Sequence, residues 1–257
     1  MQLLKCNNAS PDANLIFIHG GPGMDHTCFS PFVDGLTSRF NLVLHTCGHS
    51  GILDMQGLVS ELDDVISGLD SSQKIYLVAH SFGACVGVEY MKSGMYKGRI
   101  NGQVLVGWIH DPSWMSLFME NNKDYKEPSI PEDLSGDARF KFMVNAEWNL
   151  YFSEQNRSLA EQVLSGMTYN SALMENIFCT YHKDFDLTPI LKGLEIPICS
   201  IIASGDAVVD KSHIRDGESH IKNLRSEVIE DAGHFMFCEQ PQKFCDIVAS
   251  FVEDSNN

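Results

Sequence analysis

The stretch Ile75-Tyr76-Leu77-Val78-Ala79-His80-Ser81-Phe82-Gly83 constrains this chain more than any other. Residues 75–79 form a short apolar run, as a strand buried on both faces requires. Residues 82–91 are mostly small and apolar with helical spacing, and a helix is expected over 82–93. A chain that leaves a strand and enters a helix within two residues must bend sharply. Ala79 and Gly83, two positions either side of Ser81, are small enough to allow that bend. Such a turn pushes the Ser81 hydroxyl out of the backbone and into a cleft.

The rest of the chain supplies the sheet around this strand. Residues 3–6 read as a short first strand, followed by the turn Ser10-Pro11-Asp12. Leu15-Ile16-Phe17-Ile18 is a second buried run, and it ends in the glycine loop His19-Gly20-Gly21-Pro22-Gly23. A helix is expected over 29–40, a strand over 42–44 and a turn at Gly48-His49-Ser50-Gly51. The apolar face of 55–69 predicts a helix, and 104–109 the strand after the Ser81 helix. Strand and helix in alternation mean a parallel sheet with helices on both faces. The rhythm breaks at His110-Asp111-Pro112 and resumes only at strand 198–203. A structureless loop of that length is implausible, so the segment, rich in Trp, Phe, Met and Tyr, reads as a helical insertion. Thereafter a helix near 212–223, a strand near 227–229 and a helix over 241–252 complete the pattern. His213 and His220 fall on the solvated face of the first of these helices.

An alcohol hydroxyl attacks carbonyl carbon only with a general base beside it and a group that orients that base. The chain offers Ser81, Asp206 and His234 in that order. Asp206 and His234 each follow a predicted strand, at the edge where open parallel sheets build their sites. Two other acids compete with Asp206. Asp111 follows the strand after the Ser81 helix, and Asp210 suits a helix cap.

Together these motifs resemble the α/β-hydrolase superfamily over residues 15–252, in particular its proline iminopeptidase-like serine hydrolases. His19-Gly20-Gly21-Pro22-Gly23 is similar to their oxyanion loop. Asp186-Leu187-Thr188-Pro189 through Ser204-Gly205-Asp206 is similar to the return from lid to acid strand, and Asp231-Ala232-Gly233-His234 to the histidine loop. The resemblance implies an α/β-hydrolase fold with a core of residues 1–110 and 190–257 and a helical lid of residues 111–189. It implies oxyanion donors at the backbone N–H groups of Gly21 and Phe82, a cis peptide bond at Pro22, and loop-shaping roles for His19 and His80. Glu147, with Trp148 beside it, is similar to the lid segment that binds a substrate amino group. One departure is His45-Thr46-Cys47-Gly48-His49-Ser50, which replaces the family's Asp-x-Arg-Gly-x-Gly-x-Ser turn.

The expected activity is therefore acyl-enzyme cleavage of a small ester or amide bond, in the manner of an iminopeptidase, with a carboxylesterase or thioesterase as the alternative. A non-catalytic ligand-binding protein on the same fold is the reading from another class. A net charge of −16 disfavours nucleic acid and anionic membrane as partners, leaving a small molecule or short peptide. The eight cysteines are scattered with no Cys-x-x-Cys pair, which excludes zinc-ribbon and thioredoxin-like chemistry. No metal or organic cofactor is expected. Buried-looking thiols, the missing basic-then-apolar leader and the lack of a long apolar run point to the cytoplasm. The residues do not speak to oligomeric state.

Overall fold

The computed structural model describes residues 2–6, 11–48, 51–94 and 96–255. Ser10, His49 and Ser50 of the predicted turns lie outside the described residues. Among those described, seven strands form one sheet in the order β1-β3-β2-β4-β5-β6-β7. They are β1 (Gln2–Leu4), β2 (Asn14–Ile18), β3 (Asn41–His45), β4 (Ile75–His80), β5 (Gly102–Val106), β6 (Ile198–Ala203) and β7 (Leu224–Ile229). Only β1 runs antiparallel to its neighbour; the other pairs are parallel. Alternate strand residues feed two separate apolar layers. Leu15, Phe17, Tyr76 and Val78 belong to one, and Ile16, Ile18, Leu77 and Ala79 to the other. That division is why the central strands read as unbroken apolar runs.

Helices α1 (Met55–Ser67) and α2 (Phe82–Lys92) cover one face. Asp54 caps α1 by accepting the Gly57 N–H at 2.8 Å. Between β5 and β6 lie α3 (Ser113–Asn121), α4 (Gly136–Ala146), α5 (Trp148–Tyr151), α6 (Arg157–Gly166), α7 (Ser171–Cys179) and α8 (Thr188–Gly193). After β6 come α9 (Lys211–Glu218), α10 (Met236–Glu239) and α11 (Pro241–Asp254). The α3–α7 segment is tied down on two sides. Asn170 N–H donates to Gly23 O at 2.7 Å, and Phe235 N–H to Tyr151 O at 3.1 Å. Among the described residues no helix is long and apolar enough to cross a membrane.

The structure corrects several expectations. In place of a helix over 29–40 there are two 3-10 turns, His26–Cys28 and Asp34–Ser38. Pro31 lacks an N–H and Gly35 favours no helix, so the apolar spacing there is not enough. The cis peptide bond is Ser30–Pro31, not one at Pro22. Strand β5 stops at Val106, because Gly107 turns to φ +50. The helix expected near 212–223 stops at Glu218, and His213 lies inside the fold, 2% exposed.

Candidate active site

Ser81 sits where β4 ends and α2 begins, at φ 51 and ψ −120. A non-glycine residue in that region of the map carries strain. The surroundings hold it there. Ser81 N–H donates to Val106 O at 2.8 Å. A Cβ on Gly83 would lie 2.5 Å from the carbonyl oxygens of both Ile18 and His19, so α2 packs on β2 only through glycine. The Ser81 hydroxyl is not spent on capping its helix, and the residue borders a cavity of about 720 Å³.

His234 borders the same cavity. Its Nδ1 lies 2.8 Å from Asp206 Oδ2, with both side chains 2–3% exposed. The second oxygen, Oδ1, accepts the N–H groups of Val208 and Val209 at 2.9 Å each. The carboxylate is thus fixed at both oxygens, and the imidazole must place its proton on Nδ1 and its lone pair on Nε2. Gly107 makes room for the pair: a Cβ there would stand 3.2 Å from Asp206 Oδ2 and His234 Nδ1. Ser81 and His234 share the cavity wall; among the described residues no hydrogen bond joins them.

The loop after β2 is braced by its own side chains. His19 Nδ1–H donates to Gly20 O at 2.9 Å, and Nε2 accepts the Cys47 N–H at 3.0 Å. Gly21, at φ +60, borders the cavity with Phe82. Phe82 opens α2, where backbone N–H groups have no acceptor within the helix. Below the site, His80 Nε2–H donates to the His234 carbonyl at 3.0 Å, and the two rings are 4.5 Å apart. Burial, then the neighbouring imidazole, pushes the His80 pKa well below the ordinary histidine value, so this ring stays neutral.

Of the two proposed substrate contacts, the structure brings one to the cavity. Glu147 lines it and accepts a hydrogen bond from the Tyr125 hydroxyl; burial raises its pKa. Trp148 does not line it. Its indole packs against the core and carries the Arg157 guanidinium at 5.5 Å. The rival acids are placed elsewhere. Asp210 caps α9, accepting the Ser212 N–H at 2.7 Å, and Asp111 faces His110 at 3.5 Å.

His110, Asp111 and His213 bring one ligand atom each within 4.8 Å of one another. Both nitrogens of His213 are engaged, however. Nε2 accepts the His110 N–H at 3.2 Å, and Nδ1 meets Ser113 Oγ at 3.2 Å. With no lone pair to spare, the group acts as a clasp between the end of β5, α3 and α9. Gly217 lets α9 approach, since a Cβ there would fall 2.6 Å from Trp108.

Among the residues at the site that the sequence does not single out are Gly107, Tyr125 and His182. A glycine at the end of a central strand is a signal for Gly107. Tyr125 and His182 reach the cavity through the packing of α3–α7, which leaves no local mark.

A family model described as "Alpha/beta hydrolase family" matches residues 15–247. The 3-oxoadipate enol-lactonase 1 of Acinetobacter baylyi is 26% identical over 255 residues, covering 96% of this chain and 91% of that protein. A proline iminopeptidase of Saccharolobus solfataricus is 22% identical, covering 93% and 84%. Among solved structures, a thermophilic esterase from Thermogutta terrifontis superposes with a TM-score of 0.75 at 17% identity, covering all of both chains.

Proposed function

The chain belongs to the alpha/beta hydrolase family, and from that premise we propose that it is a serine hydrolase cleaving a carboxylic ester by acyl transfer through Ser81. One observation carries the reading: a serine held at φ 51 opens into the same cavity as an imidazole bonded to a buried carboxylate. His234 Nε2 takes the Ser81 proton as the hydroxyl attacks the carbonyl. Asp206 holds the tautomer and stabilises the imidazolium that results. The N–H groups of Gly21 and Phe82 receive the oxyanion, each donor worth about 3 kcal/mol. His234 then protonates the leaving alcohol, and water releases the acyl group by the same steps in reverse. The Ser81–His234 hydrogen bond forms when substrate fills the cavity, as such contacts tighten in the Michaelis complex.

The cavity favours an ester with an apolar body. Its wall is built mostly of Phe, Met, Ile, Val and Trp side chains, and its size suits a small organic molecule. A second reading, amide cleavage next to a free amine, draws on the presence of Glu147 in the wall. The raised pKa of Glu147 and its bond to Tyr125 weaken it as an ammonium partner. Parallel kinetics on p-nitrophenyl esters of short and medium acids and on prolyl p-nitroanilide test the choice. The esters are expected to give the higher kcat/KM by about 100-fold or more. A preference for the prolyl amide that disappears in Glu147→Gln reverses the assignment.

A further inference from the structure

One side chain of the cavity wall has chemistry that the proposed reaction does not use. His182 is 9% exposed, and its ring forms part of the wall that Ser81 and His234 also line. Aromatic rings surround it. It stacks on Phe178 at 4.7 Å and 14°, and lies 5.7 Å from both Phe82 and Trp114 and 5.4 Å from Phe185. Neither Nδ1 nor Nε2 has a hydrogen-bond partner among the described residues, and both are shielded from water. A phenylalanine would serve every one of those ring contacts. An imidazole instead brings two polar atoms whose burial is unfavourable until something pairs with them.

Burial pushes the His182 pKa down to about 4. Near neutrality the ring is therefore uncharged, with one N–H donor and one acceptor nitrogen. It suits a neutral oxygen and has no charge to offer a carboxylate. A half-turn about Cβ–Cγ exchanges each nitrogen for a carbon, so whichever ring edge meets the cavity can carry a nitrogen. The ring also packs against the ring of Phe82, the residue whose amide is assigned to the oxyanion.

We infer that His182 is a specificity residue of this cavity, hydrogen-bonding a keto or hydroxyl oxygen carried on the otherwise apolar body of the substrate. The inference rests on the ester hydrolase assigned above, and its test separates the two. Binding is measured on Ser81→Ala protein, which needs no turnover, for methyl hexanoate and its 4-oxo, 5-oxo, 5-hydroxy and 6-hydroxy analogues. At least one oxygenated ester is expected to bind about tenfold more tightly than the plain one. His182→Phe abolishes that ratio and raises the melting temperature, whereas His182→Gln, which keeps a donor and an acceptor, retains part of it. Equal affinity for all five esters, or a preference that survives His182→Phe, overturns the inference. Turnover of the same esters by the unmutated chain answers the other question. Cleavage without an oxygen preference removes the subsite and keeps the hydrolase; an oxygen preference in binding without turnover does the reverse.

Discussion

Asp206 and His234 form a buried pair, Oδ2 to Nδ1 at 2.8 Å, in which the carboxylate has no rotational freedom left. Its other oxygen is held by two backbone amides. Asp206→Asn keeps the shape but places an NH₂ where the imidazole needs an acceptor, or turns its oxygen away from the Val208 and Val209 amides. The wrong tautomer then faces Ser81. Ester turnover is expected to fall by about 10³–10⁴-fold in kcat, with the melting temperature within a few degrees. A loss below about tenfold would remove Asp206 as the group that orients His234.

The bend at Ser81 depends on Gly83. A methyl group there meets two backbone carbonyl oxygens at 2.5 Å, and neither can move without shifting the end of β2. Gly83→Ala is expected to cost about 3 kcal/mol or more in urea unfolding, together with most of the esterase activity. Stability within about 1 kcal/mol of the parent would mean that the strand–helix contact is looser than this geometry.

How much of this was legible beforehand depended on how local each cause is. The elbow at Ser81, the glycine loop and the positions of Asp206 and His234 follow from short apolar runs that end in small or polar residues. The two faces of the sheet followed from the same runs. The helix expected over 29–40 failed because Pro31 and Gly35 interrupt a spacing that looks helical. His213 read as solvated because its burial comes from Gly217 admitting Trp108 and His110, which the helix pattern alone does not show. Within residues 111–189 the composition pointed to a pocket, but whether Glu147, Trp148 or His182 faces it depends on how separate helices meet.

Asp25 links the loop after β2 to the segment above it. It is 5% exposed and accepts the N–H groups of Thr27 and Thr168 at 3.0 Å each, as well as both hydroxyls. Burial raises its pKa, but these bonds outweigh that and leave it below the usual value. Asp25→Ala strands those donors and is expected to cost about 3 kcal/mol, with Asp25→Asn recovering part. Equal urea midpoints for the Ala variant and the parent would contradict the role.

Stability should also fall in mild acid. Burial holds the pKa of His182 at about 4; for His213, burial and then neighbouring His110 hold it at about 4 against the opposing pull of Asp111, Asp216 and Asp210. The unfolded chain titrates near 6.5, so between these values it binds more protons than the folded one. Stability is complete above 6.5 and is lost as pH falls toward 4. Down to pH 5, His182 alone accounts for about 2 kcal/mol. Melting temperatures at pH 7 and pH 5 are expected to differ less in His182→Phe than in the parent; an identical drop would contradict the shift.

The central claim is that Ser81 is a nucleophile activated by His234. Treating folded protein with a fluorophosphonate probe and locating the adduct by peptide mass spectrometry tests it most directly. The account predicts one adduct, on Ser81, formed at least about 100-fold more slowly in His234→Ala. A folded chain that stays unlabelled, or whose labelling is indifferent to His234, would contradict it.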